Sequence, residues 1–218
     1  MKITKSFRKS ILIKINTSGE LIVKAPYFTS KKSIEGFVLK NKEWINEKKE
    51  IILERTKTFT EWENFLFLWE EYRLKFIWES KKNQFDWKNF IIWKKYKHHA
   101  AEAFSNFYRH EARKYIEKRI EFIADKFNLK FKKLKITSAR TRWGSCTSAK
   151  NINFSYRLIM APTETIDYVI VHELAHLKEM NHSKKFWTLV QKMMDDLELW
   201  DYKKHKRWLN KNWDKLIF

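Results

Sequence analysis

The chain is predicted to have an α+β architecture, and three observations carry that prediction. Over the first 95 residues, short stretches rich in β-branched and aromatic residues alternate with polar ones, which is a strand pattern. From about Lys97 to Lys126 the apolar positions switch to a helical period. After that, two short strand-like stretches precede three helical ones. A strand-rich N-terminal part, residues 1–95, is therefore expected ahead of a second domain over residues 96–218. The change of pattern near residue 95 is the boundary the sequence offers.

The elements follow in order. Ile11 to Ile15 and Leu21 to Val23 read as a hairpin, with Thr17-Ser18-Gly19-Glu20 as its turn. After Pro26, Ser30 or Ser33 can cap a helix running to about Arg55. Residues 59–93 alternate aromatic and polar positions, as in Tyr72-Arg73-Leu74-Lys75-Phe76, and read as two or more strands with a turn at Lys81-Lys82-Asn83-Gln84. The long helix carries Phe104, Tyr108, Ala112, Ile116, Ile120 and Ile123 on one face, and His110 inside it reads as a surface or packing residue and not a ligand. Lys133–Ala139 and Asn151–Leu158 are short antiparallel strands joined through Gly144 and Ser145. Thr163, after Pro162, is placed as the N-cap of a helix reaching Met180; two further helices are expected near 183–198 and 201–215. In the last of these, Trp200, Tyr202, His205, Trp208, Leu209 and Trp213 form a packing face.

Composition narrows the function classes. Hydrophobic residues make up 44% and aromatics 17%, so a sizeable core is available. The 3 glycines and 2 prolines argue against low-complexity linkers and a glycine-rich phosphate loop. A single cysteine, Cys146, can form no internal disulfide, which fits a reducing compartment. No stretch has the length of a signal peptide's apolar region or of a membrane span, so a cytoplasmic location away from the membrane is expected. The net charge of +20 favours anionic partners, nucleotides or nucleic acid among them. Yet 36 of the 46 basic residues are Lys spread along the whole chain, which compositional drift in an AT-rich genome also produces.

The chemistry concentrates at His172-Glu173-Leu174-Ala175-His176. Residues four apart on a helix share a face, so both imidazoles can reach one ion. Glu173, on the same turn, is placed to take a proton from water that the ion activates. A catalytic zinc site needs a third protein ligand. His182 is the candidate, provided the helix stops near Met180-Asn181, where Asn tolerates a left-handed conformation. Ser183 then caps the next helix. Asp195, Asp196 and Glu198 are the alternatives for that ligand, while Glu179 falls on the wrong face. The apolar run Tyr168-Val169-Ile170-Val171 argues that this helix is buried, and buried polar groups need partners, which a metal supplies.

Several ordered blocks carry a resemblance: Arg142-Trp143-Gly144-Ser145-Cys146, Asn151-Ile152-Asn153-Phe154, Arg157-Leu158, Ala161-Pro162, Asp167-Tyr168-Val169, the His172–Leu177 segment and Asn181-His182-Ser183-Lys184-Lys185-Phe186-Trp187. Together they resemble the YgjP-like metallopeptidase family, relatives of the SprT-like zinc peptidases. The resemblance implies a zincin-like α+β metallopeptidase domain, zinc (Zn2+) held by His172, His176 and His182, Glu173 as the catalytic residue, and a peptide or protein substrate. The ten-residue spacing from His172 to His182 also equals that of the metzincins, but Glu179 stands where those enzymes carry glycine. Around the site, Arg142, Arg157 and Asn153 are candidate substrate contacts. For the two arginines, a salt bridge to Glu164, Asp167 or Glu173 remains the alternative. Cys146 reads as a small buried hydrophobe.

Overall fold

The computed structural model describes residues 1–16, 19–55, 57–78, 84–86 and 88–216. It is a mixed α+β structure, with six α-helices and three small sheets among those residues. The chain forms two compact units, Met1–Thr58 and Phe59–Ile217. The strand-to-helix change near residue 95 lies inside the second.

In the first unit, β1 (Lys2–Ser6), β2 (Leu12–Ile15) and β3 (Leu21–Pro26) make a sheet in the order β1-β3-β2. β3 is central, parallel to β1 and antiparallel to β2. Its alternate residues Leu21, Val23 and Ala25 are buried, as a strand with one covered face requires. The expected hairpin is therefore present, although Thr17 and Ser18 of its turn lie outside the described residues. The expected single helix is two, α1 (Lys31–Lys40) and α2 (Lys42–Arg55). Ser30 caps α1 by accepting a hydrogen bond from the Ser33 amide, and Asn41 ends it, its side-chain amide donating to the Phe37 carbonyl at 2.7 Å. Ile34 and Ile45 close the small core over β3.

The second unit opens with β4 (Asn64–Phe67), β5 (Glu70–Ile77), β6 (Gln84–Phe85) and β7 (Asn89–Trp93), in the order β4-β5-β7-β6. Residues 81–83 of the turn expected there lie outside the described set. The buried rings of Phe65 and Phe90 pack on α3 (Ala100–Lys126), where Phe65 stacks on Phe104 at 4.1 Å. α3 buries Phe104, Tyr108, Ala112, Ile116, Ile120 and Ile123, the face its period predicts. A 3-10 turn, Lys94–His99, precedes it.

The third sheet positions the site. Its strands are β8 (Lys133–Thr137), β9 (Gly144–Cys146) and β10 (Asn151–Ser155), in the order β8-β10-β9. The expectation of two antiparallel strands is corrected. β9 reverses the chain and takes one edge of β10, so β10 returns parallel to β8. Ile152 and Phe154 of β10 are buried. The strand ends at Ser155, and Tyr156–Met160 form a fully buried 3-10 turn. The amides of Leu68 and Trp69 donate to the carbonyls of Ile159 and Met160 in that turn. α4 (Thr163–Ala175) is packed by α3, α5 (Lys184–Asp196) and α6 (Tyr202–Asn212). Thr163 is the first helical residue and not the cap; Pro162 precedes it, and its carbonyl accepts from the Thr165 and Ile166 amides.

Apart from Gly19, the left-handed positions among the described residues are filled without glycine. Phe59, Trp62, Leu68, Trp69, Asn128, Lys150, Glu198 and Trp200 all have positive φ. No helix among the described residues is long and apolar enough to cross a membrane.

Candidate metal centre

The unbroken burial of α4 from Thr165 to Val171 drives its C-terminal turn into the interior and carries His172 and His176 with it. The helix stops at Ala175, five residues before the expected end. The reversal is made by amides of Leu177 and Lys178 bonding back to Leu174 and Ala175, and by the Ser183 amide donating to the Asn181 carbonyl at 2.7 Å. Asn181 is not left-handed, so the expected device is corrected while its outcome stands: the chain turns and His182 comes back to the helix. Ser183 then caps α5, accepting from the Phe186 amide.

The three imidazoles converge. One ring nitrogen from each of His172, His176 and His182 lies within 4.8 Å of the others, and Nε2 of His172 stands 3.0 Å from Nε2 of His182. Two nitrogens held at about 2.0–2.1 Å on one tetrahedral ion would stand about 3.3 Å apart. The donor set therefore fits a metal. His176 Nδ1 is 3.1 Å from the Glu179 carbonyl, which fixes its N–H there and leaves Nε2 as the donor nitrogen. Sequence reasoning set Glu179 aside by its side chain and missed this backbone role. Among the described residues the metal-ligand cluster contains none of Asp195, Asp196 or Glu198.

Packing orders the rings. The Phe186 ring lies 4.9, 4.5 and 4.7 Å from those of His172, His176 and His182 and forms a common floor. Trp187 stacks on His182, and Tyr202 from α6 stacks on Trp187 at 4.9 Å. Burial, reinforced by His176 and His182, pulls the pKa of His172 down to about 3, so its imidazole is neutral and ligand-ready. Burial also lowers His182, with His176 and Lys206 adding to the effect.

Glu173 is 5% exposed. Burial raises its pKa to about 8, and the nearby charge of Arg142 opposes the rise. The carboxylate lies against β9: a Cβ placed on Gly144 would meet Glu173 Oε1 at 2.5 Å. Gly144 is thus a residue of close approach, a role beyond the turn residue that the sequence suggested. Cys146 is half-buried, and its thiol is pushed up to about 11, chiefly by burial and then by Glu173, so it stays an unionised neighbour.

The candidate substrate contacts separate. Arg142 and Asn153 both line a cavity of about 260 Å³ beside β9, where Asn153 donates to Ser145 Oγ at 3.2 Å. Arg157 is not among the residues lining that cavity. It is 3% exposed, donates to the Ser138 carbonyl and lies over the Tyr156 ring. Among the described residues no carboxylate pairs with Arg157. Asp167 is taken by a bidentate pair with Arg119, at 2.9 and 2.6 Å.

A buried glutamate beside three convergent imidazoles is the arrangement of a metal-dependent hydrolase. The model of the YgjP-like metallopeptidase domain matches residues 9–212, and the chain belongs to that family. Among solved structures, the metallopeptidase zymogen abylysin of Pyrococcus abyssi is similar at 23% identity over 44% of this chain and 93% of that one, with a TM-score of 0.38. No curated protein matches the chain.

Proposed function

We propose that the protein is a zinc-dependent metallopeptidase in which His172, His176 and His182 hold the metal and Glu173 is the general base. The convergence of the three imidazoles within 4.8 Å of one another, next to a buried carboxylate, carries this reading. Bound there, zinc supplies a Lewis acid that makes water a nucleophile near neutral pH. Glu173 accepts the proton of the attacking water at its carboxylate and passes it to the leaving amine nitrogen. β9 lies at the edge of its sheet, and its outer edge pairs with the main chain of an extended peptide. Phe186 and Trp187 hold the imidazoles in place and keep water from their flanks.

Elemental analysis of untagged protein tests the first half: about one zinc per chain is expected, and none in His176→Ala. Glu173→Gln should keep the metal and lose about 10²–10⁴-fold in peptide hydrolysis. Full activity in that variant would remove Glu173 from the role. The charge of +20 favours a second reading, hydrolysis of nucleotide phosphoanhydrides or work on nucleic acid. Diphosphate release from a nucleotide panel, lost in Glu173→Gln, would establish it in place of proteolysis.

A further inference from the structure

The register of the third sheet divides its residues between two faces. Ile152 and Phe154 point inward to the helices, and Gly144, paired with Phe154, presents its missing side chain to Glu173 on the same side. The intervening residues form rows on the other face: Lys135, Asn153 and Ser145 in one, Thr137 and Ser155 in the next. These five, with Ala139, Arg142, Trp143 and the Gly144 backbone, line the 260 Å³ cavity.

The lining holds two cations, Lys135 and Arg142, and no acidic residue. Among the described residues neither cation has a carboxylate within salt-bridge distance. Two of the hydroxyls are already committed, that of Thr137 to the Phe154 carbonyl and that of Ser155 to the Ala139 carbonyl. Ser145 accepts from Asn153, which leaves its own proton to be donated outward. The cavity therefore offers an ammonium, a guanidinium and a hydroxyl donor, a set that fits an oxyanion and repels cations.

A peptide laid against the free edge of β9 sends alternate side chains to the two faces of the sheet. On the metallopeptidase reading, on which this inference rests, one face meets Glu173 and the other meets the cavity. We propose that the cavity is a specificity subsite for a substrate carboxylate next to the scissile bond, from an Asp or Glu side chain or from the peptide's own C-terminus. Lys135 and Arg142 bind it, and Asn153 orients Ser145 to donate to it.

Metal-loaded Glu173→Gln protein tests this without turnover. Labelled hexapeptides carrying Glu, Gln or Lys at one position, each with a free or an amidated C-terminus, are titrated by fluorescence anisotropy. The carboxylate-bearing peptides should bind about 10-fold more tightly than the amidated Gln peptide. The amidated Glu peptide and the free-acid Gln peptide then tell side chain from terminus. Lys135→Glu should remove or invert this preference, while Lys118→Glu, the same charge change at an exposed α3 position outside the cavity, should leave it. Equal binding of all peptides, or equal effects of the two reversals, overturns the subsite. So does a nucleoside triphosphate that displaces the acidic peptide at lower concentration and depends more steeply on Lys135, since the cavity is then a phosphate site. Carboxylate preference in Glu173→Gln without peptide hydrolysis by wild type would sink the peptidase reading and leave the subsite. Hydrolysis with no charge preference would do the reverse.

Discussion

At Gly144 the site has room for a hydrogen and nothing larger. An added methyl would sit 2.5 Å from Glu173 Oε1 and 2.7 Å from its Cγ, so the carboxylate must move away from β9. Gly144→Ala is therefore expected to retain its metal, because the three atoms nearest the new methyl all belong to Glu173, and to lose at least about 10²-fold in hydrolysis. Paired turnover and metal measurements check this, and metal loss in step with activity would contradict it. The pairing of His172 with His176 was legible in the sequence because a four-residue spacing on a helix fixes geometry locally, whereas His182 returns by a turn that the sequence did not foretell. The Gly144–Glu173 contact was not legible, since it joins residues far apart in the chain that only the packing of β9 on α4 brings together. Arg157 shows the same limit: its type and position suggested a ligand contact, and the fold spends it on the Ser138 carbonyl and the Tyr156 ring.

Between elements, α6 is tied to the helix of His172 and Glu173 by His205, whose Nδ1 lies 3.1 Å from the Thr165 hydroxyl of α4. Burial lowers the pKa of His205, with Lys204 adding to the shift; the Leu199 carbonyl, Glu164 and Asp201 oppose it. The folded state thus binds fewer protons at this residue than the unfolded chain does. Its stabilising contribution is full above the ordinary histidine value near 6.5 and is lost as pH falls below it. Wild type should lose more stability than His205→Gln between about pH 7.5 and 5, read as a larger fall in Tm. Thermal unfolding of both proteins at the two pH values measures it, and parallel shifts would exclude the effect. At this scale the sequence was a good guide where a period was long, as over α3. It was a poor guide where three residues decide the outcome: β9 is too short for its pattern to reveal that β8 and β10 run parallel. β1 escaped notice because all but one of its residues are exposed, leaving no apolar alternation to read.

On the scale of the molecule, the division at residue 58 sets a core with five buried apolar residues among those described apart from the larger one around α3, β10 and α4. A small core covers its backbone less well against opening. Hydrogen exchange should find the slowest amides in α3 between Ile116 and Ile123, in β10 and in α4, with β1–β3 exchanging earlier; one common rate across both units would show that they open together. The larger core also carries an inherited handicap. With 3 glycines in 218 residues, the chain places tryptophan, leucine and phenylalanine at left-handed turn positions, Trp62, Trp69 and Trp200 among them. Each such residue costs on the order of 1–2 kcal/mol relative to glycine. A tryptophan codon lies one base from a glycine codon. At Trp62 and Trp200, which are 55% and 70% exposed, one base change would therefore relieve the turn with little burial lost.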